Sequence, residues 1–302
     1  QGGIGPPALG RSCKSVSSPR GAARLGRVVG GNDLAQADAA EDVDFGLGRL
    51  VALAAGSFGV GFDDSLIAMN AALTGLACGL FARFLRGIGE PPPTRALAVV
   101  AFACSGVMLG QGTQAEVYAL EMACLMAAAV LFVERRAVAS GLACGAALLV
   151  TPLAAFGAWP FAWVAARRRA LRPLVVTAAV AALVWGAVVA LCWRDYFFGT
   201  RGLLTVGPRR DFGWGTIAYN LAALVKNLHV LLPFVPVGIA AWWARFDARA
   251  WLVPLALACS GLAFAGMREQ GVFMIAAYPA LALAAARGVT AAASRLPARA
   301  PA

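Results

Sequence analysis

Charge is scarce in this chain of 302 residues: Asp, Glu, Lys and Arg make up 14% of it, and there is one histidine. No CxxC or Cys/His spacing occurs among the seven cysteines, so neither a zinc site nor a disulfide framework is expected. A Gly-rich phosphate loop, a Ser/His/Asp set and a metal-binding histidine pair are likewise missing, which argues against P-loop, serine-hydrolase and zinc-peptidase chemistry. Residues 1–44 hold no apolar h-region, so they do not read as a signal peptide. That stretch balances five basic against five acidic residues without apolar periodicity, and is expected to be a disordered or aberrant segment.

What the chain has in abundance is apolar surface. Hydrophobic residues make up 60% and the mean hydropathy is +0.73, against about 45–50% apolar content in soluble domains. Apolar runs recur from about residue 64 to residue 287, separated by short arginine-bearing breaks. Lipid leaves backbone groups unsatisfied unless they bond internally, and no strand-like alternation is present, so helices are the economical solution. The expected fold is all-α: a polytopic transmembrane bundle over residues 45–290, preceded by a short amphipathic interfacial helix at 45–60 and followed by a cytoplasmic tail at 291–302. Membrane runs are expected at about 64–83, 95–110, 115–133, 138–151, 153–166, 172–192, 228–244, 250–266 and 271–286. Six of the cysteines lie in or beside these runs, where they read as small packing residues.

The net charge of +11 is placed at the ends of apolar runs. That is the positive-inside pattern and not a basic patch with interleaved aromatics, so no nucleic-acid partner is expected. Thr151-Pro152 breaks one apolar stretch in its middle, and Arg135/Arg136 and Arg167–Arg169 flank it. Both flanks belong on one side, so residues 138–166 are expected to form a hairpin of short helices with the Thr-Pro tip buried in the membrane or near the far face. The same orientation puts most arginines inside, with Glu90, Glu134 and Asp247 as the only acids there beyond the N-terminal stretch. Asp63, Asp64, Glu116, Asp195, Asp211 and Glu269 then gather on the outer face. Acids contribute little to topology, so this gathering points to a site for a charged ligand.

Within "QGTQAEVYALEMA", Gln111 to Ala123, Gln114, Tyr118 and Glu121 fall at i, i+4 and i+7 on one helical face. Glu116 points about 140° away from Glu121 and marks the mouth of that stripe. Glu116 also fits two roles without function: a carboxylate at the positive end of a helix dipole, and the last member of a Thr113-x-x-Glu116 capping box. Glu121 lies deeper, where a lipid-facing charge costs on the order of 2.5–3.5 kcal/mol or more; a protonated Glu121 bonded to a neighbouring helix is the alternative. Segment 193–227 mixes aromatics with Arg194, Asp195 and further charges, which suits either an interfacial belt or a surface for sugar and phosphate. Asp63-Asp64 open a helix and fit a capping role, and His229 reads as interfacial.

Four stretches occur in an order that resembles a known class: "LGRLVALAAGSFGVGFDDSLIAMNAALTGLACGLFARFLR", "QAEVYALEMACLMAAAVLFVERR", "GLACGAALLVTPLAAFGAWPFAWVAARRR" and "MREQGVFMIAAYPALALAAARG". Together they resemble polytopic membrane glycosyltransferases of the GT-C class, specifically bacterial relatives of the protein O-mannosyltransferases. The resemblance implies an inner-membrane enzyme that takes sugar from a polyprenyl-phosphate donor and passes it to an acceptor at the periplasmic or extracellular face. It implies Glu116 as the acidic position opening the fourth helix, Arg268 and Glu269 on the last outer loop near the donor phosphate, and a divalent cation, Mg or Mn, as a candidate cofactor. It also implies a catalytic acid on an early outer loop; Asp33, Asp38, Glu41, Asp42 and Asp44 lie in that region, and Asp44 is carried as the catalytic candidate. No membrane helix precedes residue 45, and Thr151-Pro152 stands where the family has Lys-Pro. An N-terminally incomplete chain, inactive as a fragment, is therefore one expectation. A transporter or lipid-handling membrane protein without catalysis is the competing one.

Overall fold

The computed structural model describes residues 62–113, 118–191, 214–264 and 275–295. Every regular element among them is helical. In chain order these are α1 (Phe62–Gly87), α2 (Pro92–Ala103), α3 (Gly106–Thr113), α4 (Tyr118–Val133), α5 (Ala137–Val150), α6 (Trp159–Arg168), α7 (Leu171–Leu191), α8 (Trp214–Leu228), α9 (Phe234–Trp243), α10 (Leu252–Phe264) and α11 (Tyr278–Ala293). Short 3₁₀ turns at Pro152–Ala158, His229–Leu231 and Ala248–Trp251 join some of them. The expected interfacial helix at 45–60 and the tail beyond Arg295 lie outside the described residues.

Among the described residues, three helices are long and apolar enough to cross a membrane: Asp64–Gly87, Leu171–Leu191 and Ile275–Ala293. The number rises to five if each of two bent pairs counts as one span. The apolar run at 95–110 is one such pair, bent by 56° between α2 and α3. Ser105 makes the break: its hydroxyl donates to the Phe102 carbonyl at 2.8 Å and accepts from the Met108 amide at 3.4 Å, ending one helix and capping the next. The run at 228–244 is divided by His229, whose φ of 50° is left-handed, and by Pro233 ahead of α9.

The expected hairpin is present. Helix α5 leaves from Arg136, Thr151 is extended at φ −153° and ψ 133°, and α6 returns after the 3₁₀ turn. The Thr151 hydroxyl accepts from the Leu153 amide at 3.1 Å and so closes the tip. The return is complete, because Arg168 Nη1 donates to the Val133 carbonyl at 2.8 Å, just before the Arg135-Arg136 flank. With 14 residues, α5 rises about 21 Å, short of the ~30 Å of a hydrocarbon core.

Where lipid surrounds helices, hydrophobic transfer between them gives little and close backbone approach does much of the packing; the glycines here allow such approach. Gly141 and Gly145 form a G-x-x-x-G stripe on α5 against α7. A Cβ at Gly141 would lie 2.6 Å from Val180 Cβ and 2.8 Å from the Thr177 carbonyl oxygen, and one at Gly145 would lie 2.7 Å from Val184 Cβ. Gly238 of α9 and Gly288 of α11 do the same reciprocally, each backed against a carbonyl of the other helix, Ala284 and Phe234. Aromatic edges complete the core: Phe81 on Phe102, Phe84 on Trp159 and Phe132 on Phe161, all T-shaped with centroids 5.1 to 6.4 Å apart.

One end of the bundle gathers arginines. Arg83 pairs with Glu134 at 2.6 Å, and Arg249 with Glu90 at 3.0 Å and Asp247 at 3.4 Å. The Trp163 indole donates to the Ala248 carbonyl at 2.9 Å, and Thr177 to the Ala137 carbonyl at 3.1 Å. All three acids expected beside the arginines are therefore found there, each in an ion pair. Helices α4 and α11 start toward the opposite end, and the hairpin tip stops beside Leu125, partway along α4.

Candidate functional site

The arginine end fixes the relative direction of α1 and α4. Arg83 and Glu134 are 51 residues apart, and Gly87 packs on Val133, so α1 and α4 run parallel. Helix α3 packs on the same side of α1: Gly112 lies against Thr74, with a Cβ there 3.7 Å from the threonine hydroxyl. These three packed helices carry polar side chains in apolar surroundings: Asn70 and Thr74 of α1, Gln111 of α3 and Glu121 of α4. Asn70, Gln111 and Glu121 are each 2% exposed or less.

The α4 face that carries Glu121 is defined one turn further in. Leu125 packs with Ala147, Ala154 and Ala276, where α5, the hairpin tip and the approach to α11 meet. A Cβ at Gly157 would come 2.8 Å from Leu125 Cδ1, so the tip lies close against that side chain. The junction is pinned by the Trp159 indole, which donates to the Ala276 carbonyl at 2.7 Å. Four residues turn a helix by about 400°, so Glu121 sits almost above Leu125 on the outward side of this junction. Its Oε2 is buried and finds no hydrogen-bond partner among the described residues. A buried carboxylate oxygen left open in this way is costly, and it is available to a hydroxyl or amide of a ligand.

Of the nine residues expected to form a site, two are described. Tyr118 is half-buried at the first position of α4 and packs against the core, and Glu121 follows one turn later. Gln114, Glu116, Asp44, Arg194, Asp195, Arg268 and Glu269 lie outside the described residues. The described residues on either side of 114–117, Thr113 and Tyr118, stand at the end away from the arginines, as does Ile275, which follows 265–274.

The Thr113 hydroxyl donates to the Leu109 and Gly110 carbonyls at 3.0 and 3.1 Å, as a threonine inside a helix does; the Glu116 half of the expected capping box lies outside the described residues. Asn70, Thr74 and Gln111 are no part of the expected site. Their signal was present, since polar residues in apolar membrane runs mark interiors, but each is neutral and none stands out by charge.

A second polar spot lies at the α2–α3 break, where a Cβ on Gly106 would come 2.8 Å from Asn227 Oδ1. The Asn227 amide nitrogen donates to the Ala223 carbonyl at 2.8 Å, and the buried Tyr278 hydroxyl stands beside it without a well-formed bond. Among the described residues no three His, Cys, Asp or Glu side chains converge as a metal site; the described part of the site does not fit the divalent cation, and no step is assigned to one. No protein-family model matches the chain, and no curated protein is similar to it.

Proposed function

We propose that this chain is a helical membrane glycosyltransferase of the GT-C kind, moving sugar from a polyprenyl-phosphate donor to an acceptor at the membrane face away from the arginines. The observation that carries the reading is Glu121: a buried carboxylate, one oxygen open, in the first turn of α4 in an otherwise apolar bundle. The short hairpin beside it supports the reading, because a tip that stops beside Leu125, partway along α4, leaves room for a head group.

In the proposed reaction the acceptor hydroxyl attacks the anomeric carbon. Its proton passes to a carboxylate, the bond between that carbon and the donor phosphate oxygen breaks, and polyprenyl phosphate leaves. Glu116, two residues before α4 in the chain, takes the proton, with Asp44 as the second acidic candidate. Arg268 and Arg194 answer the leaving phosphate, with Asp195 and Glu269 beside them, and Gln114, Tyr118 and Glu121 hold sugar hydroxyls. The test is transfer of labelled sugar from a set of polyprenyl-phosphate donors in isolated membranes, with Glu116→Gln and Arg268→Ala beside the parent. Each should lower transfer by about 100-fold or more. Undiminished transfer in both would remove these assignments.

The same open oxygen would serve a transporter or lipid-handling protein, in which Glu121 holds a permeant or head group without any bond being broken. Donor consumption separates the two readings: a transporter exchanges label across the membrane and leaves the donor intact.

A further inference from the structure

The arginine end carries a feature that sugar transfer does not use. A cleft of about 500 Å³ opens between the ends of α4 and α6 and the start of α7, lined by Phe132, Arg135, Val164, Ala165, Arg168 and Pro173 among others. That volume is within the ~300–1,000 Å³ range of ligand clefts. Two guanidinium groups stand over an otherwise apolar wall, and no acid is part of the lining.

The nearby charges are already engaged elsewhere. Glu134, next to Arg135 in the chain, is held by Arg83 of α1 at 2.6 Å. Arg167 lies over the Trp163 ring, 5.4 Å from its centroid. Arg168 donates one N–H to the Val133 carbonyl at 2.8 Å, which orients its guanidinium at the rim and leaves further N–H groups. Arg135 makes no ion pair among the described residues, and it occupies a left-handed position, φ 64°, that glycine would adopt at less cost.

We propose that this cleft binds the phosphate of an anionic phospholipid. The arginine fork matches phosphate oxygens, and basic pockets between membrane helices suit such head groups. The apolar wall favours the lipid over a free ion, since inorganic phosphate has nothing to place against Phe132, Val164 and Pro173. This reading stands apart from the sugar-transfer proposal and survives its failure.

The experiment is native mass spectrometry of the full chain released from nanodiscs of mixed phosphatidylglycerol and phosphatidylcholine. Arg135→Gln removes a lining cation, and Arg136→Gln removes its neighbour, which does not line the cleft. The parent should retain phosphatidylglycerol selectively. Arg135→Gln should lose at least about fivefold in retention, as one arginine contact is worth about 1 kcal/mol, while Arg136→Gln retains it, and millimolar inorganic phosphate should not compete. Equal retention of the two lipids, equal loss in the two variants, or displacement by inorganic phosphate would each overturn the proposal. The single exposed substitution Arg135→Gln avoids the Arg168–Val133 bond, so folding is kept, and circular dichroism confirms it.

Discussion

Arg249 Nε lies 3.0 Å from Glu90 Oε1, in contact as an ion pair but without the angle of a hydrogen bond. The Glu90 side chain is wholly buried and that of Arg249 is 14% exposed. Arg249 Nη2 also donates to the Ile88 carbonyl at 2.8 Å, and Asp247 accepts from the Arg249 amide at 3.0 Å. One guanidinium thereby ties the α1–α2 turn to the turn after α9, at the end where the arginines gather.

Glu90 gives a pH signature. Burial pushes its carboxyl above the ordinary glutamate value, and the pull of Arg249 and Arg287 only partly offsets this. The folded chain therefore binds the Glu90 proton more tightly than the unfolded chain does. Its contribution is most favourable below about pH 4.3 and is lost as pH rises through the raised folded value. Glu90→Gln should raise the unfolding temperature in detergent at pH 8 and change it little at pH 4. Arg249→Ala should do the reverse at pH 8, costing about 3–5 kcal/mol because it leaves a buried carboxylate alone. Equal losses for both variants at pH 8 would contradict this account of the pair.

The glycines of α5 give a steric test. Gly141→Leu must push into Val180 and the Thr177 carbonyl, and should cost about 1–3 kcal/mol or more. At Gly186 of α7 an added methyl would meet nothing within 4 Å, so Gly186→Ala should be neutral or gain up to about 1 kcal/mol. Unfolding of the two variants by denaturing detergent, compared with the parent, reads the contrast.

The hairpin gives a topological test. In a background free of cysteine, Arg136→Cys and Arg169→Cys flank residues 137–168. Membrane-impermeant thiol reagents should label both from the same side of sealed vesicles. Labelling from opposite sides would turn the hairpin into a crossing.

Much of this architecture is legible in the amino-acid sequence alone, for reasons that individual residues show. The arginine end is readable because guanidinium groups rarely lie within hydrocarbon, so Arg135, Arg136 and Arg167–Arg169 mark both feet of the hairpin and Thr151-Pro152 marks its tip. The break at Ser105 is not readable, because its run stays apolar on both sides and hydropathy carries no information about direction; the break at His229 is marked only by that histidine and by Pro233 in a run that is otherwise apolar. Glu121 is legible because its charge contrasts with its surroundings. The buried amides of Asn70 and Gln111 are not, because neutral amides are tolerated in many membrane helices and only the fold shows them buried.

Glu121 carries the central claim, and the most direct measurement is turnover of polyprenyl-phosphate sugar by purified Glu121→Gln protein in nanodiscs. Glu134→Gln, a change at the arginine end, is the control. Transfer should fall by about 10-fold or more in Glu121→Gln, the loss of a charged hydrogen bond to a sugar hydroxyl, with folding intact and with Glu134→Gln close to the parent. Parent-like turnover in Glu121→Gln would contradict the assignment of this buried carboxylate to the site.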